Sequence, residues 1–299
     1  MFDRCCDCRS AKDYPLVHDP IPLPLQADKD TIIKDLLWYV PNIDSFQAPK
    51  NELIQDKLYD DFSFTFILNR MGMIEDRDVK WLSCHDSFDE DDWSYFENRI
   101  CCNCQKIIIT RCESLSKTND FLRALRNCIA HGHFAFVDDF LIGFNQQTRR
   151  AAPPIKKAVI KIRPKLLLEA LRALTSPQGK ELLIGYAFER LGYTIFRQLN
   201  SSYKLDYLVE KNGKKYAIEV KDYKGHAYLH PDSITTFLRF SGDIHPEAKR
   251  VLFIDTSRVT KAVRELEKKI ENFRIIDLTE VKKMISTPPV DVLAENEDA

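Results

Sequence analysis

On either side of Asn212-Gly213 the chain alternates apolar and polar residues, LDYLVEK before the pair and KKYAIEVK after it. Alternation flanking Asn-Gly predicts two antiparallel strands joined by a two-residue turn. With Lys211 paired to Lys214, counting outward sets Asp206 opposite Glu219. Directly opposed residues share one sheet face, with Cβ atoms roughly 4.5–5.5 Å apart. Lys221 lies on that face too, because strand side chains alternate with period two. Elsewhere the period changes. From about Thr31 to Glu113 helical spacing dominates, as in TIIKDLLWYV and KLYDDFSFTFILNRM. Ser116–Gly132 predicts a helix opened by a capping residue, lined by Leu122, Leu125 and Ile129, and stopped by Gly132. FAFVDDFLIGFN and KAVIKI are strand-like and could pair as a small sheet, and Arg163–Leu174 predicts one more helix.

Two opposed carboxylates repel unless something positive lies between them. A divalent metal with a lysine alongside meets that need, and it points to phosphodiester hydrolysis. Asp206 with Glu219-Val220-Lys221 resembles the PD-(D/E)xK signature of the restriction-endonuclease-like superfamily, although Leu205 stands where the name-giving proline would be. Gly179–Gln198 resembles the helix and strand that precede this hairpin in Mrr-type nucleases. Arg250–Ile270 looks like the next strand and helix, and Phe273–Leu278 like the closing strand. The resemblance implies a mixed-sheet α/β domain that cuts DNA with magnesium, for which manganese can substitute. It implies Asp206 and Glu219 as metal ligands, with the Val220 carbonyl completing the shell, and Lys221 as the group that activates water. It also implies a helical acid at Glu181, with Glu189 as the alternative. Tyr223, Lys224 and His230 follow on the next loop as candidate nucleic-acid contacts, although an ordinary polar loop explains them equally well.

Charge supports a polyanionic partner for the second half of the chain. The net charge is −1, yet residues 1–120 balance at −9, residues 121–285 at +12 and residues 286–299 at −4. Lysine and arginine in excess displace counterions from a phosphate backbone. No apolar run approaches a membrane-spanning length, and MFDRCCDCRS has no secretory hydrophobic region, so no membrane partner and a cytoplasmic location are expected.

A second motif is Arg126-Asn127-Cys128-Ile129-Ala130-His131, followed by Gly132. It resembles the R-x4-H motif of HEPN domains, which are helical bundles and often metal-independent ribonucleases whose dimers pair two such motifs. The resemblance implies an α-helical bundle at 31–176, a homodimer, and Arg126 and His131 as candidate catalytic residues, or else a non-catalytic dimerising role. Helical geometry adds a tension: Arg126 and His131 sit about 140° apart on the helix, while Asn127 and His131 stack at i, i+4.

The organisation expected is an extended proline-rich arm (1–30), a HEPN-like helical domain (31–176), a nuclease domain (177–285) and a disordered acidic tail (286–299). Nine cysteines include Cys5-x-x-Cys8 and Cys101-x-x-Cys104, which could form a structural zinc site. Their distance apart and the lack of a glycine-bearing knuckle leave reduced, partly buried thiols as the default. The principal functional expectation is a metal-dependent DNA nuclease acting in microbial defence against phage or foreign DNA. Two alternatives stay open: a metal-independent RNA-cutting toxin in which the hairpin domain only binds nucleic acid, and a non-catalytic nucleic-acid-binding assembly module.

Overall fold

A computed structural model describes residues 3–6, 11–13, 27–38, 51–83, 86, 88–111, 116–149, 152–196, 205–223 and 227–294. The chain divides into two units, Met1–Thr175 and Ser176–Ala299. Most of the expected N-terminal arm lies outside the described residues.

Unit 1 runs β1 (Ala11–Asp13), α1 (Ala27–Trp38), α2 (Glu52–Gln55), α3 (Asp60–Met71), α4 (Glu75–Asp78), β2 (Val79–Ser83), α5 (Glu90–Asn98), β3 (Arg99–Cys101) and β4 (Lys106–Arg111). It continues through α6 (Lys117–Ala130), β5 (Phe134–Val137), β6 (Phe140–Arg149), β7 (Ala152–Ile162) and α7 (Pro164–Thr175). The helical bundle expected here is corrected: the unit is α/β, built on a five-stranded sheet ordered β2-β4-β7-β6-β5. The physical reason is the run Ile107-Ile108-Ile109. Consecutive β-branched residues favour strand, and all three are at most 2% exposed because both faces of the sheet are covered. On one face Trp93 and Phe96 of α5 pack with Ile108, Ile142, Phe144 and Val159.

Helix α6 lies against the same sheet. Its first turn is satisfied by Ser116, whose hydroxyl accepts from Asn119 N–H at 3.0 Å, and by the buried Asp60 carboxylate, which accepts from Lys117 N–H at 2.6 Å and Thr118 N–H at 3.1 Å. Its last turn ends at Gly132, with φ +69°, the left-handed conformation glycine adopts without strain. Close approach to β6 depends on Gly143, where an added Cβ would stand 2.8 Å from the Cβ of Cys128. Four cysteines, Cys5, Cys6, Cys101 and Cys104, converge in this unit. Cys8, read from spacing as a metal ligand, lies outside the described residues, and Cys6 stands beside Cys5 in its stead.

Unit 2 runs α8 (Gln178–Arg190), β8 (Thr194–Phe196), β9 (Tyr207–Lys211), β10 (Lys214–Lys221), α9 (Pro231–Ile244), β11 (Lys249–Ile254), α10 (Lys261–Lys269), β12 (Phe273–Asp277) and α11 (Val281–Met284). Its sheet is ordered β12-β11-β10-β9-β8. β8, β9 and β10 pair antiparallel, whereas β10, β11 and β12 pair parallel. The expectation of a disordered tail from residue 286 needs correcting as far as Ala294. Val292 and Leu293 are 2% exposed, and Asp291 accepts from Tyr193 Oη at 2.9 Å and Lys211 Nζ at 2.8 Å. The two apolar side chains and the ion pair hold an otherwise acidic segment against the sheet.

A methyl group at position 143 has no room between two packed elements. Gly143→Ala should lower unfolding free energy by roughly 1–3 kcal/mol, read by chemical denaturation of the full chain.

Candidate active site

The turn Asn212-Gly213 adopts φ of +52° and +76°, the pair of positive values that a tight hairpin requires. Register follows: Lys211 pairs with Lys214, and the ladder continues to Tyr207 opposite Ile218. Asp206 and Glu219 are the next residues outward. Asp206 N–H still donates to Ile218 C=O at 3.1 Å, and its Oδ2 accepts from Val220 N–H at 2.6 Å. Lys221 Nζ hydrogen-bonds and ion-pairs with Glu219 Oε1. Three charged groups therefore meet at the open end of the hairpin, with the Glu219 side chain 9% exposed and that of Lys221 35%.

Burial dominates their electrostatics. It pushes the Glu219 carboxyl up to about 7, and the neighbouring Asp206 and Glu181 add to the rise, while Lys221 opposes it. Asp206 is raised by burial against the pull of the Val220 amide and Lys221. Burial disfavours the Lys221 ammonium, but Glu219 and Asp206 outweigh it and raise its pKa, so the amine stays charged.

Glu181 comes from α8 and is held there by a second contact. Tyr207 Oη donates to the Glu181 backbone carbonyl at 3.0 Å. The ring crosses α8 at Gly185, where an added Cβ would stand 2.8 Å from that hydroxyl. Glu189 is exposed. Lys180, which sequence reasoning missed, is electrostatically coupled to Asp222, and burial lowers its pKa. A lysine one position before an acid in a helix carries no signal of its own; only the packing of α8 beside the end of β10 reveals it.

The remaining candidates separate. Tyr223 packs against the apolar cluster containing Leu205, Leu229 and Phe237, so part of its ring serves the core. His230 is exposed at the start of α9 and makes no side-chain cap. Lys224 lies outside the described residues. In unit 1, Asn127 and His131 line a cleft of about 430 Å³ together with Asp120, Arg123 and residues of β4, β6 and β7. Arg126 is not among the lining residues, because the helical period that stacks Arg123, Asn127 and His131 turns it away.

Residues 172–285 match a restriction endonuclease family model. The match covers less than half of the chain but spans Glu181, Asp206, Glu219 and Lys221, so the mixed α/β unit 2 is similar to the restriction endonuclease family over these residues. No curated protein matches. A crystal structure of a repair endonuclease from Pyrococcus abyssi is similar at 11% identity and a TM-score of 0.23, covering 48% of this chain and 63% of that one. The chain spans less than two thirds of that structure's length. Among the described residues, no helix is long and apolar enough to cross a membrane.

A carboxyl raised on folding stabilises the native state below its unfolded pKa, and that contribution is lost as pH rises through the folded value. Metal-free stability should therefore fall between about pH 4.5 and about pH 7, as Glu219 ionises. In Glu219→Gln that fall should largely disappear, leaving the variant more stable than wild type at pH 8 by thermal unfolding in a chelator. Gly185→Ala should displace Tyr207, costing roughly 1–3 kcal/mol of stability; Tyr207→Phe, which keeps the ring and loses the hydroxyl, should cost about 1 kcal/mol.

Proposed function

We propose that this protein is a magnesium-dependent nuclease that hydrolyses DNA phosphodiester bonds through unit 2. The observation that carries the reading is the convergence of Asp206, Glu219 and Lys221 at the end of one hairpin, inside the segment that matches the restriction endonuclease family. The donor set fits a hard divalent cation. Asp206 Oδ1 and Glu219 Oε2 accept no hydrogen bond from the described residues, and two crowded carboxylates gain most from a shared positive charge. Asp206 and Glu219 would hold the ion with the Val220 carbonyl as a third oxygen, and Glu181, whose charge acts on Glu219, is the candidate for a fourth. When bound, the metal supplies Lewis acidity at the phosphate and lowers the pKa of a water molecule.

The chain's own groups account for the rest. Lys221 remains an ammonium, able to hydrogen-bond the attacking water and stabilise charge gathering on the phosphorane oxygens. Asp206 is oriented by the Val220 amide, which keeps one oxygen turned toward the site. Tyr207 fixes the backbone of Glu181. The positive balance of residues 121–285 favours a DNA backbone over neutral or cationic substrates. A role in microbial defence, acting on phage or foreign DNA, follows from the Mrr-type resemblance.

For unit 1 we propose a role in dimerisation or regulation. Arg126 is not among the residues lining the cleft beside His131, which favours the non-catalytic reading of the R-x4-H motif.

Plasmid DNA and total RNA, each incubated with magnesium and with EDTA, test the proposal. Wild type should cut DNA only with magnesium; Lys221→Ala and Glu219→Gln should lose about 100-fold or more in rate, and His131→Ala should cut as wild type does. EDTA-resistant RNA cutting that disappears in His131→Ala would overturn it.

A further inference from the structure

We infer that Cys5, Cys6, Cys101 and Cys104 form a structural zinc site that fastens the N-terminal segment to unit 1. The four sulfur atoms all lie within 4.8 Å of one another, and Cys6 and Cys101 Sγ are 3.4 Å apart. A tetrahedral zinc with Zn–S bonds of about 2.3 Å has thiolate edges of about 3.8 Å. The cluster brackets that value, and it draws on segments nearly a hundred residues apart. Two neutral thiols can meet by accident of packing; four converging on one point are a donor set.

The surroundings are those of thiolates. Asn103 N–H donates to Cys101 Sγ at 3.4 Å, the Tyr95 side chain is hydrogen-bonded to Cys5, and Lys161 Nζ stands 3.4 Å from Cys104 Sγ and 3.1 Å from the Cys101 carbonyl. Lys161 decides the matter. It is 1% exposed, and among the described residues no carboxylate ion-pairs with it. Its other neighbours are the rings of Phe96 and Phe140, with centroids 5.9 and 5.8 Å from the ammonium. A buried ammonium without a counter-charge costs several kcal/mol. Four thiolates around one divalent ion carry a net double negative charge, which supplies it.

Contrast within the chain argues the same way. Cys128 is fully buried in an apolar setting, as a thiol used for packing should be. Cys101 is buried as well, but Cys5 and Cys104 are half-buried and Cys6 is exposed, so packing does not explain the grouping of all four. Cys102, inside the same C-x-x-C run, turns away toward Asp138, with Sγ 3.6 Å from Oδ2. Nearby, β1 pairs with β3 in a register that sets Ala11 opposite Cys101. The short N-terminal strand and the thiolate set therefore fasten neighbouring points, and the metal closes a long loop in the chain.

The test is metal content by inductively coupled plasma mass spectrometry on the full chain, purified under reducing conditions without chelator. About one zinc per chain is expected, retained in Cys102→Ser, Cys128→Ser and Glu219→Gln, and lost in Cys101→Ser and Cys104→Ser. Because ligand variants can misfold, wild type stripped of metal should also be reloaded with cobalt(II). Intense thiolate-to-cobalt absorption with tetrahedral visible bands, displaced stoichiometrically by zinc, supports the site. Zinc retained in Cys104→Ser, iron in place of zinc, no metal before or after reloading, or a Cys6–Cys101 disulfide in the reduced preparation would each overturn it. Glu219→Gln keeps this result independent of the nuclease reading: zinc lost there alone would place the ion in unit 2.

Discussion

Asp206 and Glu219 are held side by side by a hairpin whose turn leaves no freedom of register. A slip of one residue would send both side chains to the opposite face and take Leu208 and Ala217 out of the apolar cluster they share. The core therefore enforces the crowding of the carboxylates, and the crowding generates the chemistry. Glu219 is raised to about 7 chiefly by burial, and Lys221 is kept charged by the acids it faces. An arrangement costly in isolation is supported by the parallel strands β10, β11 and β12.

Helix α8 is the second support. It brings Glu181 toward Glu219 and Lys180 toward Asp222, and it is locked in place by Tyr207, a residue of the hairpin itself. Gly185 is what lets the ring cross so closely. The same unit draws in the segment beyond α11, where Asp291 closes a small polar cluster with Tyr193 and Lys211.

Unit 1 solves a different problem. A sheet covered on both faces needs continuous apolar runs in its strands, and Ile107, Ile108 and Ile109 of β4 supply one. Buried charge is managed in pairs: Lys106 with Asp78 at 3.0 Å, and Lys80 with Asp92 at 2.7 Å, where Arg4 also ion-pairs. Among the described residues, buried Lys161 faces the Cys104 sulfur and no carboxylate, and that contrast singles out the cysteine cluster from the rest of the interior.

Local chemistry determined the hairpin, its register, the face shared by Asp206, Glu219 and Lys221, and the Ser116 and Gly132 caps of α6, since each depends on residues a few positions apart. Strand period, positive-φ turn residues and capping side chains act at that range, and they are written in the chain. Tertiary structure alone decided the rest. Ile107–Ile109 became a central strand because the sheet is covered on both sides, which no window of neighbouring residues discloses. Helical geometry hinted that Arg126 and His131 diverge, but the packing of α6 on the sheet put Arg123 and Asn127 in the cleft. Lys180, Asp291 and the pairing of Cys5 and Cys6 with Cys101 and Cys104 arise from contacts distant in sequence. Burial and counter-charge are properties of a packed interior, and they exist only once the chain has closed on itself.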